Sequence, residues 1–256
     1  MDYTSDLARI NAALDAALVV LEDFTPGQIE AVRKEGGDPV TEADILVDTE
    51  MRRILPEPGE GWLSEETVDS ADRLGKKRVW IVDPIDGTKE FVQGIPEWCV
   101  SIGLIEDGRP VAGGIHNPAT GERITGSVTS GLVYQGESPV SHIQKLKGAR
   151  VGASRSEMNR GEWDRFEDAG FEIVPIGSVA YKLALVAAGR LDATWTLVPK
   201  NEWDLAAGVA LIESAGGWAV LKDGSAPTWN DEDPLVPGFI ATTDALRVDV
   251  TKLLLG

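Results

Sequence analysis

The sequence predicts a mixed fold in alternating layers of helix and sheet, with an α+β segment over residues 1–145 and an α/β segment over 146–256. Three observations carry this. Apolar residues at helical spacing open the chain, strand runs separated by turns fill residues 98–134, and beyond Gly148 strand-like and helix-like stretches alternate. The 256 residues suffice for one large domain or two ordinary ones, and 43% hydrophobic against 26% charged side chains is the balance of a globular chain with a sizeable core.

Leu7, Ile10, Leu14, Leu18 and Leu21 recur at three- and four-residue spacing behind Thr4 and Ser5, which predicts one amphipathic helix. A second helix is expected from Thr41. Arg78 to Val82 is short, β-branched and apolar, bounded by charge before it and Asp83-Pro84 after it, and reads as a buried strand. From Trp98 to about Tyr134, the turn clusters Glu106-Asp107-Gly108-Arg109 and Ser130-Gly131 divide the strand runs into an antiparallel meander without a helix. Beyond it come strand-like Arg150–Ala153, helix-like Asn159–Ala169, strand-like Phe171–Pro175 and helix-like Val179–Ala188. The alternation continues through Leu191–Leu197, helical Leu205–Ala215, Trp218–Leu221 and Gly238–Thr242 to a helical tail, and predicts a mostly parallel sheet. Ser138-Pro139 and Lys145-Leu146-Lys147-Gly148 interrupt the pattern and set the boundary between segments.

Composition excludes several partners. With 24 basic and 42 acidic side chains the net charge is 24 − 42 = −18, which repels nucleic acid and anionic membrane surfaces and leaves small ligands as the expected partners. The single cysteine, Cys99, rules out an internal disulfide, and the opening residues lack the basic region and apolar run of a signal peptide, so a cytoplasmic location is expected. Two histidines, His116 and His142, cannot build a three-histidine zinc site, so any metal ligands should be oxygen.

The chemistry concentrates in Val79 to Phe91, where a buried strand runs straight into Asp83-Pro84-Ile85-Asp86-Gly87-Thr88. Rigid strand ends hold functional groups in fixed geometry while loops keep them accessible. Pro84 stiffens the turn, the Ile85 carbonyl can face an ion between the two carboxylates, Gly87 permits close backbone approach, and Thr88 begins a short helix whose free N–H groups suit an anion. Read locally, the same residues are an ordinary turn. No G-x-x-x-x-G-K-[ST] loop and no G-x-S-x-G elbow occurs.

The longer string Trp80-Ile81-Val82-Asp83-Pro84-Ile85-Asp86-Gly87-Thr88 resembles the signature of the inositol monophosphatase superfamily of Mg²⁺-dependent phosphomonoesterases. Three further segments match in order: Asp38 to Asp44, Gly61 to Glu66, and Asn201 to Gly208 with Ile212 to Gly217. Locally, Thr41 and Asp44 read as a capping box, Glu65-Glu66 as a solvated acidic pair, and Asp204 as a carboxylate favoured at a helix start. The resemblance implies an αβαβα sandwich of the inositol monophosphatase/fructose-1,6-bisphosphatase type with two or three Mg²⁺ per site. It makes Glu65, Asp83, Ile85 (by its carbonyl), Asp86 and Asp204 the metal ligands, and Asp44, Glu65 and Thr88 the catalytic residues. Asp86, Gly87, Thr88, Lys182 and Asp204 would contact substrate, Glu66 would stand behind the ligands, and a homodimer is common among such proteins.

Lys89-Glu90-Phe91 and Gly177-Ser178-Val179-Ala180-Tyr181-Lys182 resemble the 3′(2′),5′-bisphosphate nucleotidase branch, which hydrolyses 3′-phosphoadenosine 5′-phosphate. Both lysines also read as solvated helix residues. The family's inositol-contacting glutamate aligns near Leu197, where no carboxylate stands, with Lys200 and Glu202 off register. The bisphosphate nucleotide is therefore the favoured substrate, ahead of inositol 1-phosphate, then histidinol phosphate or fructose bisphosphate. An acidic cation-binding protein without catalysis is the competing class, against which Thr88 and Asp44 argue.

Overall fold

The computed structural model describes residues 2–33, 39–136 and 143–256. Asp38, the Ser138-Pro139 interruption and His142 lie outside the described residues. Helix α1 (Thr4–Leu21) buries Ile10, Ala13, Leu14, Ala17 and Leu21 along one face, as the spacing predicts. A short antiparallel pair, β1 (Val32–Arg33) and β2 (Pro39–Val40), precedes α2 (Glu42–Ile54). At the start of α2, Thr41 and Asp44 form the reciprocal capping box.

The first sheet runs in the order β3 (Gly61–Ser64), β4 (Arg78–Asp86), β5 (Cys99–Glu106), β6 (Arg109–Asn117), β7 (Glu122–Ser127), β8 (Gly131–Gln135). β3 is parallel to β4 and every other neighbour is antiparallel, so the expected meander is present as β5 to β8. Helix α3 (Thr88–Gln93) follows β4 after one residue.

The second half contributes β9 (Arg150–Ser154), α4 (Arg155–Asn159), β10 (Glu172–Ile176), α5 (Val179–Ala187), β11 (Ala193–Thr196), β12 (Lys200–Asn201), α6 (Glu202–Ser214), β13 (Trp218–Leu221), β14 (Leu235–Val236), β15 (Phe239–Thr242) and α7 (Arg247–Leu255). β12 and β14 form a separate antiparallel pair. The second sheet has the order β10-β9-β11-β15-β13, in which β9, β10 and β11 are parallel and β15 is inserted antiparallel to both its neighbours. Two expectations for this half need correction: the sheet is mixed rather than mostly parallel, since two of its four strand pairings are antiparallel, and no helix spans 159–169. α4 ends at Asn159, Gly161 takes a left-handed φ of 75°, and only a 3₁₀ turn at Asp164–Phe166 follows.

Three apolar cores separate five layers. One packs α1 and α2 on the first sheet through Leu14, Val47, Trp80 and Ile102; one packs that sheet on α5 and α6 and these on the second sheet; one covers the second sheet's outer face with Trp163, Phe166 and Val250 of α7. The architecture is the layered αβαβα sandwich. Close approach of α6 to the first sheet depends on glycine: a Cβ at Gly103 would lie 2.8 Å from the Ala207 nitrogen. Because the middle core is continuous across both sheets, we propose the division near residue 145 as one between sheets rather than between separately cored domains.

Candidate active site

Strand β4 carries the first two carboxylates. Asp83 faces Ser101 and Asp86 faces Cys99 on β5, with the register slipping between them where Pro84 and Ile85 bulge out. Asp83 Oδ1 accepts the Ile85 N–H at 3.0 Å, which folds the bulge back on the carboxylate. Gly87 then adopts φ 99°, a conformation that favours glycine, and starts α3. The Thr88 hydroxyl lies 3.0 Å from the Ile85 carbonyl and 3.2 Å from Asp44 Oδ1. Asp44 is buried, and its other oxygen accepts the Thr41 N–H and hydroxyl at 2.8 and 2.6 Å. β3 delivers Glu65 from the neighbouring strand end, and Asp48 of α2 pins that loop by accepting the hydroxyls of Ser64 and Thr67.

Asp204 arrives from the second half. It sits in the first turn of α6, in a capping box with Asn201, whose N–H donates to Asp204 Oδ2 at 3.0 Å. Oxygens of Asp83, Asp86 and Asp204 lie within 4.8 Å of one another. Glu65 stands beside this trio, close enough to raise Asp83. Burial foremost, then Glu65, Asp86 and Asp204, push the Asp83 carboxyl well above its ordinary value. Burial and the same crowd push Asp204 up to about 8. Asp86 is raised less, because the Ser178 hydroxyl (2.7 Å) and the Ala180 N–H donate to its Oδ2. An all-oxygen cluster whose carboxylates resist ionising together matches a hard divalent cation in donor type and in charge. Around it opens a cleft of about 270 Å³ lined also by Ile85, Thr88, Lys89, Lys182, Lys200 and Trp203.

The family model that matches this sequence is that of the inositol monophosphatase family, over residues 3–251. The chain belongs to that family. It is a phosphatase, a phosphoric monoester hydrolase. A Thermotoga maritima relative described as fructose-1,6-bisphosphatase/inositol-1-monophosphatase is 36% identical over 240 residues, covering 89% of this chain and 87% of its own. A Mycobacterium leprae relative described as 3′-phosphoadenosine 5′-phosphate phosphatase is 32% identical over 276 residues, covering 100% and 95%. Among solved structures, inositol monophosphatase from Anabaena superposes with a TM-score of 0.82 at 25% identity, covering 100% of this chain and 97% of that one. Members of the family are metal-dependent. No helix among the described residues is long and apolar enough to cross a membrane.

Against this family background, the site residues expected from the sequence meet in one place, with one change of contact. Lys182 is neither a solvated helix lysine nor a free hand for substrate. It is buried, and its ammonium donates to the carbonyls of Ile176, Gly177 and Ser178 at 3.3, 2.7 and 2.7 Å, which uses all three N–H groups on the loop before α5. Burial pulls its pKa down to about 8 against the opposing pull of Asp86. Leu197 lines a different hollow, of about 400 Å³, with Trp163, Phe166 and Trp195; that hollow holds none of the clustered carboxylates. Sequence reasoning missed Ser178, whose hydroxyl both caps α5 at Tyr181 N and grips Asp86. A serine just ahead of an apolar helical run is the signal that marks such a cap.

Proposed function

We propose that this phosphatase is a Mg²⁺-dependent phosphomonoesterase for a small phosphorylated metabolite, with a 3′,5′-bisphosphate nucleotide such as 3′-phosphoadenosine 5′-phosphate as preferred substrate. The observation that carries it is one cleft with Asp83, Asp86 and Asp204 converging on one wall and Lys89 and Lys200 in the same lining. Glu65, Asp83, the Ile85 carbonyl, Asp86 and Asp204 would hold the cations, which supply positive charge to polarise the phosphoryl group and the departing oxygen. The chain's own residues supply the proton path. Asp44 is pushed up by burial first, against the pull of its Thr41 hydrogen bonds, and a buried carboxylate of raised pKa is the better proton acceptor. Through the Thr88 hydroxyl it would orient a water for attack on phosphorus and take up its proton, while Gly87 and Thr88 hold the ester in line. The P–O bond to the alcohol then breaks, its electron pair leaving with the alcohol oxygen, which takes up a proton from solvent as Asp44 returns the one it accepted. Cys99, buried with its thiol pushed well up by burial, is unsuited to act as a nucleophile.

Lys89 and Lys200 both line the cleft, and Lys200 is the one put to the test for a second phosphate: partly exposed there, it reaches Glu157 only at 3.8 Å, whereas Lys182 is spent on carbonyls. Inositol 1-phosphate is the second reading, favoured by the description of the Thermotoga relative and tested by the same experiment. With Mg²⁺ saturating, Lys200→Ala should raise KM for 3′-phosphoadenosine 5′-phosphate roughly 10-fold or more, as a lost charge-assisted contact demands. The KM for inositol 1-phosphate should stay within about 2-fold, since that ligand carries one phosphate. Equal, small effects on both would give first place to inositol phosphates. No phosphate release with Mg²⁺ from either ester, or release undiminished by chelator, would overturn the proposal.

A further inference from the structure

Glu65 and Asp204 come from opposite halves of the chain, and the metal reading above requires their separation to be fixed. A bridge of hydrogen bonds anchored on two buried side chains runs between the two arms. It starts at Arg73, which is 2% exposed and lies in the turn after β3. Arg73 packs against that strand so closely that a Cβ on Gly61 would stand 3.1 Å from the Arg73 Cβ; Gly61 begins the strand that ends at Ser64, immediately before Glu65. Its guanidinium is held by Asp69 through Nε and Nη2, at 2.8 and 2.7 Å. The remaining donors cross to the second half. Nη1 donates to Asn230 Oδ1 at 2.7 Å, Nη2 donates to the Asp231 carbonyl at 2.9 Å, and Asn230 Nδ2 returns a hydrogen bond to the Arg73 carbonyl at 3.1 Å.

Asn230 has a left-handed φ of 63°, which asparagine tolerates better than most residues, and the turn it makes presents two successive N–H groups to one carboxylate. Those N–H groups, of Asn230 and Asp231, donate to the two oxygens of Glu202 at 2.7 and 2.9 Å. Glu202 is 1% exposed and is the first residue of α6, two before Asp204. Its own N–H donates to the Pro234 carbonyl, and the next residues of that segment pair with β12, so residues 230–236 wrap the start of α6 on two sides. Arg73 and Glu202, both buried, are thus joined through Asn230 and the Asp231 backbone rather than by a direct ion pair, and buried polar links of this kind have value when they specify geometry.

We propose that Arg73, Asn230 and Glu202 are positioning residues for the metal site, a bridge that sets the distance between the Glu65 arm and the Asp204 arm and thereby the affinity for divalent cation. The inference rests on the metal reading of the cleft. None of the three touches the clustered oxygens, so their effect must pass through the placement of Glu65 and Asp204.

The deciding variant is Asn230→Gly in the full chain, because glycine accepts the left-handed φ and removes only the side-chain link. Calorimetric titration with Mg²⁺ alone should show binding weakened roughly 10-fold or more, the range for partners that orient metal ligands. At saturating Mg²⁺, KM for the phosphoester should move far less than the metal affinity does. A variant that lowers Tm but binds Mg²⁺ as the wild type does would overturn the inference and leave the bridge a purely structural tie. Should Asn230→Gly fail to fold, Glu202→Gln, which turns one acceptor against a backbone N–H, decides the matter in the same titration. A wild-type chain that binds no Mg²⁺ would instead overturn the proposed function, and this inference with it.

Discussion

Asp83 shows how little freedom a single residue has in this site. It lies inside the first sheet at 1% exposure, one oxygen committed to the Ile85 N–H and the carboxylates of Glu65, Asp86 and Asp204 close by. Countercharge is what would allow it to ionise there. Asparagine keeps its shape and its acceptor oxygen but has no charge to offer a cation, so Asp83→Asn should lower kcat/KM by at least ~10²-fold, measured as phosphate release under saturating Mg²⁺. Near-normal turnover in that variant would remove Asp83 from the ligand set. The carboxylates themselves were legible in the sequence because strand, Asp, Pro, Asp, Gly and Thr form one contiguous string. Their anchors were not: Ser178 grips Asp86, and Arg73 reaches Asn230, across long stretches of chain that no local pattern encodes.

At the scale of elements, legibility followed locality. The capping box at Thr41 and the period of α1 depend on residues three or four apart, and the structure has both; a second box, Asn201 with Asp204, has the same local spacing, though from the sequence Asp204 reads only as a carboxylate at a helix start. The stretch 159–169 failed because Trp163 and Phe166 imitate a helical face while being claimed by tertiary packing. Trp163 stacks on Trp195 at 5.0 Å and Phe166 meets it edge-on at 5.3 Å, so the aromatic cluster, with Gly161 breaking the helix, overrides the spacing. α6 illustrates the opposite case, apolar nearly all round because it lies between two sheets. Its crossing with α5 leaves no room: a Cβ at Gly208 would lie 2.3 Å from the Leu183 Cβ. Gly208→Ala should therefore destabilise the fold by about 1–3 kcal/mol, the usual cost of an overpacked core. Differential scanning calorimetry should show Tm lowered by roughly 3–10 °C; an unchanged or higher Tm would mean that the two helices can separate at no cost.

For the whole molecule, the site sits where the two sheets and the α5–α6 layer meet, and it stores repulsion between parts of the chain that folding brings together. Asp204, pushed up to about 8 by burial and by Asp86 and Glu65, gives that repulsion a pH signature. A carboxyl whose folded-state pKa is raised binds its proton more tightly when folded, so its contribution to stability is lost as pH rises from about 3.8 through about 8. Without metal, wild-type Tm should fall relative to that of Asp204→Asn across this window, the gap widening toward the alkaline side. Mg²⁺ binds the folded arrangement and not the dispersed carboxylates of the unfolded chain, so at a hundred times its dissociation constant it should return roughly 2.7 kcal/mol. For a chain of this size that corresponds to a Tm increase of roughly 5–10 °C in the wild type. Asp204→Asn should start higher at pH 8 in the presence of chelator and gain much less from Mg²⁺, because the carboxylate that repels its neighbours is the one that reaches the cation from the second half. Thermal melts of the two proteins at pH 5 and pH 8, with chelator and with Mg²⁺, separate these effects. Parallel pH profiles with equal metal shifts would show that Asp204 neither stores the repulsion nor holds the ion.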